Sequence, residues 1–117
     1  MRVSKLKLNI SFQKQIIKTF IQLAADLKTP DEAQVFLHDF FNGAELETFA
    51  KRLAIAYWLK KGRSYTNIKQ NIKVSSATIA TVEKLMEKPG IKLALKKIEA
   101  EEWANVWAEK IQKFIKK

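Results

Sequence analysis

Residues 62–86 read GRSYTNIKQNIKVSSATIATVEKLM, and this stretch decides the fold that the sequence predicts. Ser64 and Ser75 are favourable helix N-caps, and each precedes one helix-sized segment. The apolar residues have the spacing that closes two short helices over a small core, and they are Ile68, Ile72, Val74, Ile79 and Val82. The sequence therefore predicts a helix-turn-helix over residues 64–87, and a helical hairpin that serves only as core is the alternative.

The chain is basic, and its positive charge is unevenly distributed. Its 117 residues carry a formal net charge of +10, and residues 48–82 contain seven Lys or Arg but no Asp or Glu. A surface of one sign suits a polyanion, and duplex DNA is the commonest. A solvated helix end is the alternative for Lys60, Lys61 and Arg63, because cations also favour a helix C-terminus.

The composition argues against several other classes of protein. There is no Cys, which excludes disulfides and thiolate chemistry, and the single His38 cannot form a metal cluster or a catalytic dyad. No nucleophile, base and oxyanion site assemble, so we expect neither an enzyme nor a cofactor nor a metal. No window approaches the roughly 20 apolar residues of a membrane span. Since residues 1–10 also lack a signal-peptide core, we expect a soluble, cytoplasmic protein.

The first part of the chain reads as a basic arm followed by two helices. Residues 1–10 form the predicted mobile basic arm, with a short strand as the alternative. Apolar residues at three- and four-residue spacing predict a helix over about residues 11–27. Thr29-Pro30-Asp31-Glu32 is typical of a helix start, and Asn42-Gly43 should end this second helix because both residues tolerate positive φ.

The middle of the chain predicts three more helices. The third spans about residues 44–61, with Gly62 as its terminator, and the fourth and fifth span about 65–71 and 76–87. Residues 53–59 of the third helix are apolar on every side. A helix of this kind must be covered all round, so we expect a second subunit to supply part of the cover.

The C-terminal extension, residues 91–117, has two apolar sets on nearly opposite helix faces. The first set is Ile91, Ala94, Leu95 and Ile98, and the second is Ala100, Trp103, Ala104, Trp107, Ile111 and Phe114. Either the helix bends near residues 99–102, or its halves pack against different partners. Packing within a dimer is one use of the second set, and a membrane-surface helix is the alternative.

A helix-turn-helix lays its first helix across the phosphate backbone and inserts its second into the major groove. The small side chains that begin the fifth helix suit a close approach to base edges. The candidate groove residues are Ser75, Ser76, Ala77, Thr78 and Thr81. The candidate phosphate contacts are Lys60, Lys61, Arg63, Ser64, Thr66, Lys69 and Lys73. The first turn has no Arg, Gln or Asn for a bidentate base contact, so direct readout should be weak.

Three pieces of the chain carry a family resemblance: AKRLAIA at 50–56, LKKGRSYTNI at 59–68 and VSSATI at 74–79. They resemble the Trp repressor superfamily, in particular the short Trp-repressor-like YerC/YecD proteins. The resemblance implies an all-α fold of six helices that forms an intertwined homodimer. It also implies that the fourth and fifth helices bind operator DNA.

The departures from that family bear on function. The two arginines that sandwich the tryptophan corepressor align with Ala54 and Thr81, so we do not expect tryptophan as a corepressor. Family members usually have Gly where this chain has Lys73, and a non-Gly residue at positive φ costs ~1 kcal/mol. We expect a dimeric transcriptional regulator that binds double-stranded DNA with strong or weak sequence specificity. The alternative is a helical homo-oligomeric scaffold that keeps the fold without DNA readout.

Overall fold

A computed structural model describes residues 8–101 and 109–113, and every regular element in those residues is helical. The helices are α1 (Ile10–Asp26), α2 (Pro30–Phe40), α3 (Gly43–Lys60), α4 (Tyr65–Ile68), α5 (Ser76–Glu83) and α6 (Pro89–Ala100). A π-helical turn, Lys69–Lys73, continues α4, and residues 109–113 are also helical. The predicted all-α class is confirmed. Most of the predicted basic arm lies outside the described residues.

The chain divides into two compact units, one ending at Gly43 and the other beginning at Ala44. The first contains α1 and α2, and the second contains α3 to α6 with the helix-turn-helix. The single helical domain predicted over residues 11–117 stays a prediction.

In the first unit, side chains cap both helices. The Asn9 side-chain oxygen Oδ1 accepts the Ser11 amide at 2.8 Å, and the Thr29 hydroxyl accepts the Glu32 amide at 3.1 Å. Pro30 is the first residue of α2, as predicted. The helices contact through phenylalanines: the Phe20 ring centroid lies 6.4 Å from that of Phe36 and 5.8 Å from that of Phe40. No residue of either helix is fully buried.

The predicted end of α2 is wrong. The helix ends at Phe40 and its cap, Phe41, has extended backbone with φ −98° and ψ 146°. Among the described residues only Lys73 and Gly62 have positive φ, so neither Asn42 nor Gly43 uses that freedom. Gly43 instead begins α3. An extended residue ends the helix here without a left-handed one.

The second unit has one apolar core, to which α3, α4, α5 and α6 all contribute. Its buried residues are Ile55, Ala56, Tyr57, Trp58, Ile68, Ile79, Val82, Leu95 and Ile98. The later helices of the same chain therefore cover residues 55–58 of α3. No second subunit is needed to cover residues 55–58, whereas Leu53 keeps 37% of its surface exposed, so the partial cover expected from a second subunit stays a prediction.

Gly62 ends α3 as predicted. Its φ is +81°, and its amide donates to the Leu59 carbonyl at 3.0 Å while the Arg63 amide donates to the Trp58 carbonyl at 3.1 Å. This pair of bonds is the Schellman motif, which requires a left-handed residue after the helix. The motif fixes the direction in which the chain leaves α3 for the helix-turn-helix.

Two predicted helix ends differ from the structure. The π-helical turn carries the fourth helical segment to Lys73, beyond the predicted end at 71. The fifth helix stops at Glu83 rather than 87, and the Leu85 amide donates to the Val82 carbonyl at 2.8 Å in a tighter turn. Such three-residue spacing commonly closes a helix.

The C-terminal segment breaks near the predicted place. Helix α6 begins at Pro89 and ends at Ala100, and Glu101 is extended with φ −87° and ψ 140°. Its buried residues, Leu95 and Ile98, belong to the first predicted apolar set. Of the second set, Ile111 packs against the core. The predictions for Trp103, Ala104, Trp107 and Phe114 lie outside the described residues.

Candidate nucleic-acid interface

Two serine caps and a shared core build the helix-turn-helix. The Ser64 hydroxyl accepts the Asn67 amide at 3.1 Å at the start of α4. The Ser75 hydroxyl accepts the Thr78 amide at 3.2 Å at the start of α5. Ile68 and Ile79 have no exposed surface, so both helices are anchored by their apolar faces. The two predicted capping roles are confirmed, and the polar faces are left to solvent.

The candidate groove residues are all exposed. They are Ser75, Ser76, Ala77, Thr78 and Thr81. The hydroxyls of Ser75 and Thr78 lie 3.0 Å apart, and the Thr81 hydroxyl donates to the Ala77 carbonyl at 3.0 Å. Within the described part of the chain, Ser76 has the one hydroxyl of this set without an intramolecular hydrogen bond. Ser76 is therefore the groove candidate most available to a ligand.

The turn before α5 has strained backbone. Lys73 has φ +63°, which confirms the positive φ expected for a residue in the place of the family's usual Gly. The left-handed conformation costs a non-Gly residue ~1 kcal/mol or more. Lys69 and Lys73 are both exposed, and no acidic group among the described residues pairs with either. Their charge is therefore available to an anionic partner.

The other two lysines of the phosphate set are paired with an acid that the local sequence did not indicate. The Lys60 ammonium lies 3.2 Å from one Glu99 carboxylate oxygen, and that of Lys61 lies 3.7 Å from the other. The hydrogen bond from Lys60 is the main reason that the pKa of Glu99 lies below its ordinary value. Residues 48–82 contain no acid in sequence, but the fold places the carboxylate of Glu99 beside their lysines.

Helix geometry could have indicated this contact. Glu99 follows the buried Ile98 and comes four residues after the buried Leu95, so it lies at the edge of the apolar face of α6. That position puts it beside the helix that α6 covers. The sequence does not indicate which end of α3 lies beside Glu99.

The remaining basic candidate packs on an aromatic side chain. The Arg63 guanidinium carbon lies 5.5 Å from the centre of the Trp58 ring, and the Lys61 ammonium lies 5.3 Å from that of Tyr57. Cations attract the faces of aromatic rings at such distances. Arg63 is half-buried, whereas Ser64 and Thr66 are exposed. The five basic phosphate candidates are thus two lysines without an acidic partner, two lysines paired with a carboxylate, and one arginine packed on an aromatic ring.

Two acidic residues, one at the end of α5 and one just beyond it, are also paired. The Tyr65 hydroxyl donates to the Glu83 carboxylate at 2.6 Å, and this bond is the main reason that the pKa of Tyr65 is raised. The Glu87 carboxylate lies 3.0 Å from the Lys92 ammonium. The bond from Tyr65 joins the first residue of α4 to the last of α5, and it fixes one carboxylate beside the two helices.

Comparison with known proteins places this geometry in a family. Residues 15–99 match the family model described as Trp repressor protein. The chain belongs to the Trp repressor family. That match runs from α1 to Glu99 and includes the whole helix-turn-helix, whereas most of the C-terminal extension lies beyond it.

A solved structure agrees with the Trp repressor assignment. The chain is similar to a TrpR-like protein from Eubacterium eligens ATCC 27750, with a TM-score of 0.71 and 25% sequence identity. The similarity covers 80% of this chain and 99% of that one. No curated protein matches the chain.

The family assignment carries a general function. Proteins of the Trp repressor family are helix-turn-helix DNA-binding regulators rather than enzymes. None of the helices in the described residues is long and apolar enough to cross a membrane.

Proposed function

We propose that this chain is a homodimeric transcriptional regulator that binds double-stranded DNA without tryptophan as a corepressor. The groove residues are Ser75, Ser76, Ala77, Thr78 and Thr81. The phosphate contacts are Lys60, Lys61, Arg63, Ser64, Thr66, Lys69 and Lys73. In a dimer of the kind that the family resemblance implies, the two copies of α5 lie about one DNA turn, ~34 Å, apart.

The observation that carries this proposal is the exposed start of α5 beside unpaired lysines. Ile79 and Val82 fix the apolar face of α5 in the core, and its first turn is exposed. Lys69 and Lys73 belong to the segment just before it and have no acidic partner in the described structure. A helix turn of small residues next to exposed lysines suits duplex DNA. The lysines can bind phosphates while the turn enters the groove.

The exposed face of α1 supports the dimer. Large apolar side chains along this helix are between 39% and 70% exposed, and they are Ile10, Phe12, Ile16, Ile17, Phe20, Ile21 and Leu23. Monomeric soluble proteins rarely present a contiguous apolar surface of this kind to water. A second copy that covers this face would remove the surface from water, and the hydrophobic effect would drive that association.

The absence of a tryptophan corepressor rests on two positions. Ala54 has no cation to stack on an indole, and Thr81 uses its hydroxyl to bond the Ala77 carbonyl. A flat aromatic ligand between these two side chains would have neither of the planar cations that hold it in the Trp repressor. Duplex binding should therefore be the same with and without added tryptophan.

Selection from random duplexes, followed by fluorescence anisotropy at several salt concentrations, tests the proposal. An enriched palindrome would identify a specific regulator, and unselective retention would indicate weak specificity. The variant Lys69→Glu/Lys73→Glu should weaken binding to every duplex alike and flatten the salt dependence, because each lost phosphate contact removes about one unit of slope.

A matched control separates local contact from net charge. Lys96 and Lys97 are exposed on α6, and Lys96→Glu/Lys97→Glu changes the net charge of the protein by the same amount. This control should keep most of the affinity. Equal losses in the two double variants, or a change of specificity with an unchanged salt slope, would contradict the assigned roles.

A scaffold that keeps the fold without DNA readout is the second candidate. Two observations favour it: Glu99 neutralises part of the basic surface, and α1 exposes an apolar face suited to association. Light scattering that shows an oligomer, together with flat anisotropy on duplexes at low ionic strength, would establish it.

A further inference from the structure

One face of α2 is exposed, next to the phenylalanines that contact α1. Asp31, Val35 and Asp39 follow one another at four-residue spacing, so they lie together on this face. Val35 keeps 64% of its surface exposed. A shallow groove of about 620 Å³ follows the face, and its lining includes these three residues with Leu27 and Phe36. An apolar strip between two acids is therefore open to a partner, and we call it the α2 groove.

The helices themselves do not account for all the acids of the α2 groove. Asp31 and Glu32, in the first turn of α2, suit the positive end of the helix dipole. Asp26 ends α1 and Asp39 is next to the end of α2, where the negative end of the dipole disfavours a carboxylate. The side chains of Asp31 and Asp39 have no hydrogen-bond or ion-pair partner among the described residues. A cationic partner would offset this unfavourable charge.

The chain itself contains a segment of complementary charge. Residues 2–7, which precede the described part of the chain, read RVSKLK and carry three cations and no acid. Arg2 and Lys5 stand on either side of an apolar residue, Val3. The α2 groove has the same order with the opposite charge, since an apolar residue lies there between two acids.

The spacings of the charges also agree. In an extended chain, Arg2 and Lys5 are about 10 Å apart. Along α2, the helical rise places Asp31 and Asp39 about 12 Å apart. The long side chains of arginine and lysine can make up this difference, so both cations can meet an acid at the same time.

The segment is long enough to reach the groove of its own copy. The ring centroids of Phe20 and Phe40 lie 5.8 Å apart, so the end of α2 lies beside the middle of α1. Helix α1 rises about 15 Å between Ile10 and Phe20. The chain from Lys5 to Ile10 covers about 16 Å when it is extended. Lys5 can therefore reach Asp39 without a second copy.

We propose that residues 2–7 occupy the α2 groove of the same copy. The Lys5 ammonium pairs with Asp39. The Arg2 guanidinium pairs with Asp31, and the apolar residue between the two cations covers the exposed valine of α2. Each exposed ion pair is weak, but the segment is joined to α1, and this attachment makes the contact intramolecular.

Paramagnetic relaxation on the intact chain tests the contact. The chain has no native cysteine, so Ser4→Cys provides a single site for a nitroxide label. In ¹⁵N-labelled protein at low salt, the nitroxide should broaden the amide signals of residues 34–39, relative to the same sample after the nitroxide is reduced. Molar salt should remove the broadening, because the screening length falls from about 10 Å at 0.1 M to about 3 Å at 1 M.

Exchange of one charge pair identifies the partners. Lys5→Glu should reduce the broadening, and Lys5→Glu/Asp39→Lys should restore it because opposite charges face each other again. The matched control, Lys5→Glu/Glu87→Lys, has the same net charge but should restore nothing. Asp39→Lys places a cation near a helix C-terminus, where the dipole favours it, so the exchange does not endanger the fold.

Dilution distinguishes the chain's own segment from that of a second copy. Labelled chain is mixed in urea with an excess of unlabelled wild-type chain and then refolded. Broadening within one copy should survive this dilution, whereas broadening that disappears would assign the groove to a second copy and overturn the proposal. Absence of broadening at low salt, broadening that persists in molar salt, or equal recovery in the matched control would also overturn it.

Discussion

The carboxylate of Glu99 lies 3.2 Å from the ammonium of Lys60, although the two residues belong to different helices. Its second oxygen reaches Lys61 at 3.7 Å. All three side chains are between a third and a half exposed, and ion pairs of this kind contribute little to stability because water screens them. Their larger effect concerns binding: before either lysine contacts a phosphate, it must leave a carboxylate.

The variant Glu99→Gln should therefore bind duplex DNA more tightly. Removing the carboxylate frees both lysines for phosphate contacts, so the affinity should rise several-fold and the salt slope should steepen by about one to two units. Fluorescence anisotropy with one duplex over a series of salt concentrations measures both quantities.

Glu87→Gln is the matched control for this prediction. It removes one exposed carboxylate that pairs with Lys92 rather than with a phosphate candidate. The control should raise affinity less and leave the salt slope almost unchanged. Equal gains in the two variants would show that only net charge matters and that the pairing of Lys60 and Lys61 does not.

The same ion pair predicts a small pH dependence of stability. The pKa of Glu99 in the folded chain lies below its ordinary value of 4.5, chiefly because Lys60 donates a hydrogen bond to the carboxylate. A lowered pKa stabilises the fold above the unfolded value, and the contribution is lost as the pH falls through the folded value.

Urea unfolding of the wild type and of Glu99→Gln measures this effect. The wild type should be slightly more stable near neutral pH, and the difference should disappear well below 4.5. A difference that persists in acid would mean that the carboxylate acts through packing rather than through its charge.

Lys73→Gly should stabilise the chain by about 1 kcal/mol, because glycine adopts a positive φ without a steric penalty. Lys73→Ala removes the same charge but keeps the left-handed conformation of a residue with a Cβ. Lys73→Ala should therefore not stabilise the chain. Both variants lose one proposed phosphate contact. Urea unfolding measures the stability. Similar unfolding midpoints in the two variants would contradict the claim that the backbone of Lys73 is strained.

The neighbouring residues Ser75 and Ser76 should have different roles, one in stability and the other in DNA binding. Ser75→Ala removes the cap of α5 and should lower the free energy of unfolding by about 1 kcal/mol. Ser76→Ala removes a hydroxyl without an intramolecular partner in the described structure, so stability should change little while duplex affinity falls. Chemical unfolding and anisotropy on both variants check the pair. A Ser76→Ala protein with full affinity would remove Ser76 from the groove residues.

A charge on α1 should separate the proposed dimer. Ile17 is 50% exposed on the apolar face, so Ile17→Glu should shift the molar mass measured by light scattering from dimer to monomer. Gln15 lies on the opposite face of the helix, and Gln15→Glu adds the same charge there. It should leave the dimer intact. A wild-type protein that is monomeric at high concentration would contradict the dimer itself.

The predictions that rest on local sequence signals are the most accurate. The caps at Thr29, Ser64 and Ser75 and the left-handed Gly62 depend on one residue and its near neighbours, and all four are confirmed. The positive φ of Lys73 was expected from comparison with the family rather than from its own chemistry, because lysine by itself does not favour that conformation.

Apart from the helix ends at Phe40, Lys73 and Glu83, the differences from prediction concern contacts between distant segments. The apolar second half of α3 indicated that something must cover it, but the pattern could not tell α4, α5 and α6 from a second subunit. Glu99 appeared remote from Lys60 because only the packing of α6 brings them together. The groove and phosphate roles remain predictions, since they depend on a partner that neither the sequence nor the fold contains.

The apolar face of α1 has one further consequence. When association covers a surface that each separate copy leaves in water, mass action links folding to the amount of protein present. The melting temperature of this chain should therefore rise with its concentration. In a cell that produces few copies, the supply of partners would then determine how much of the chain persists as a folded regulator.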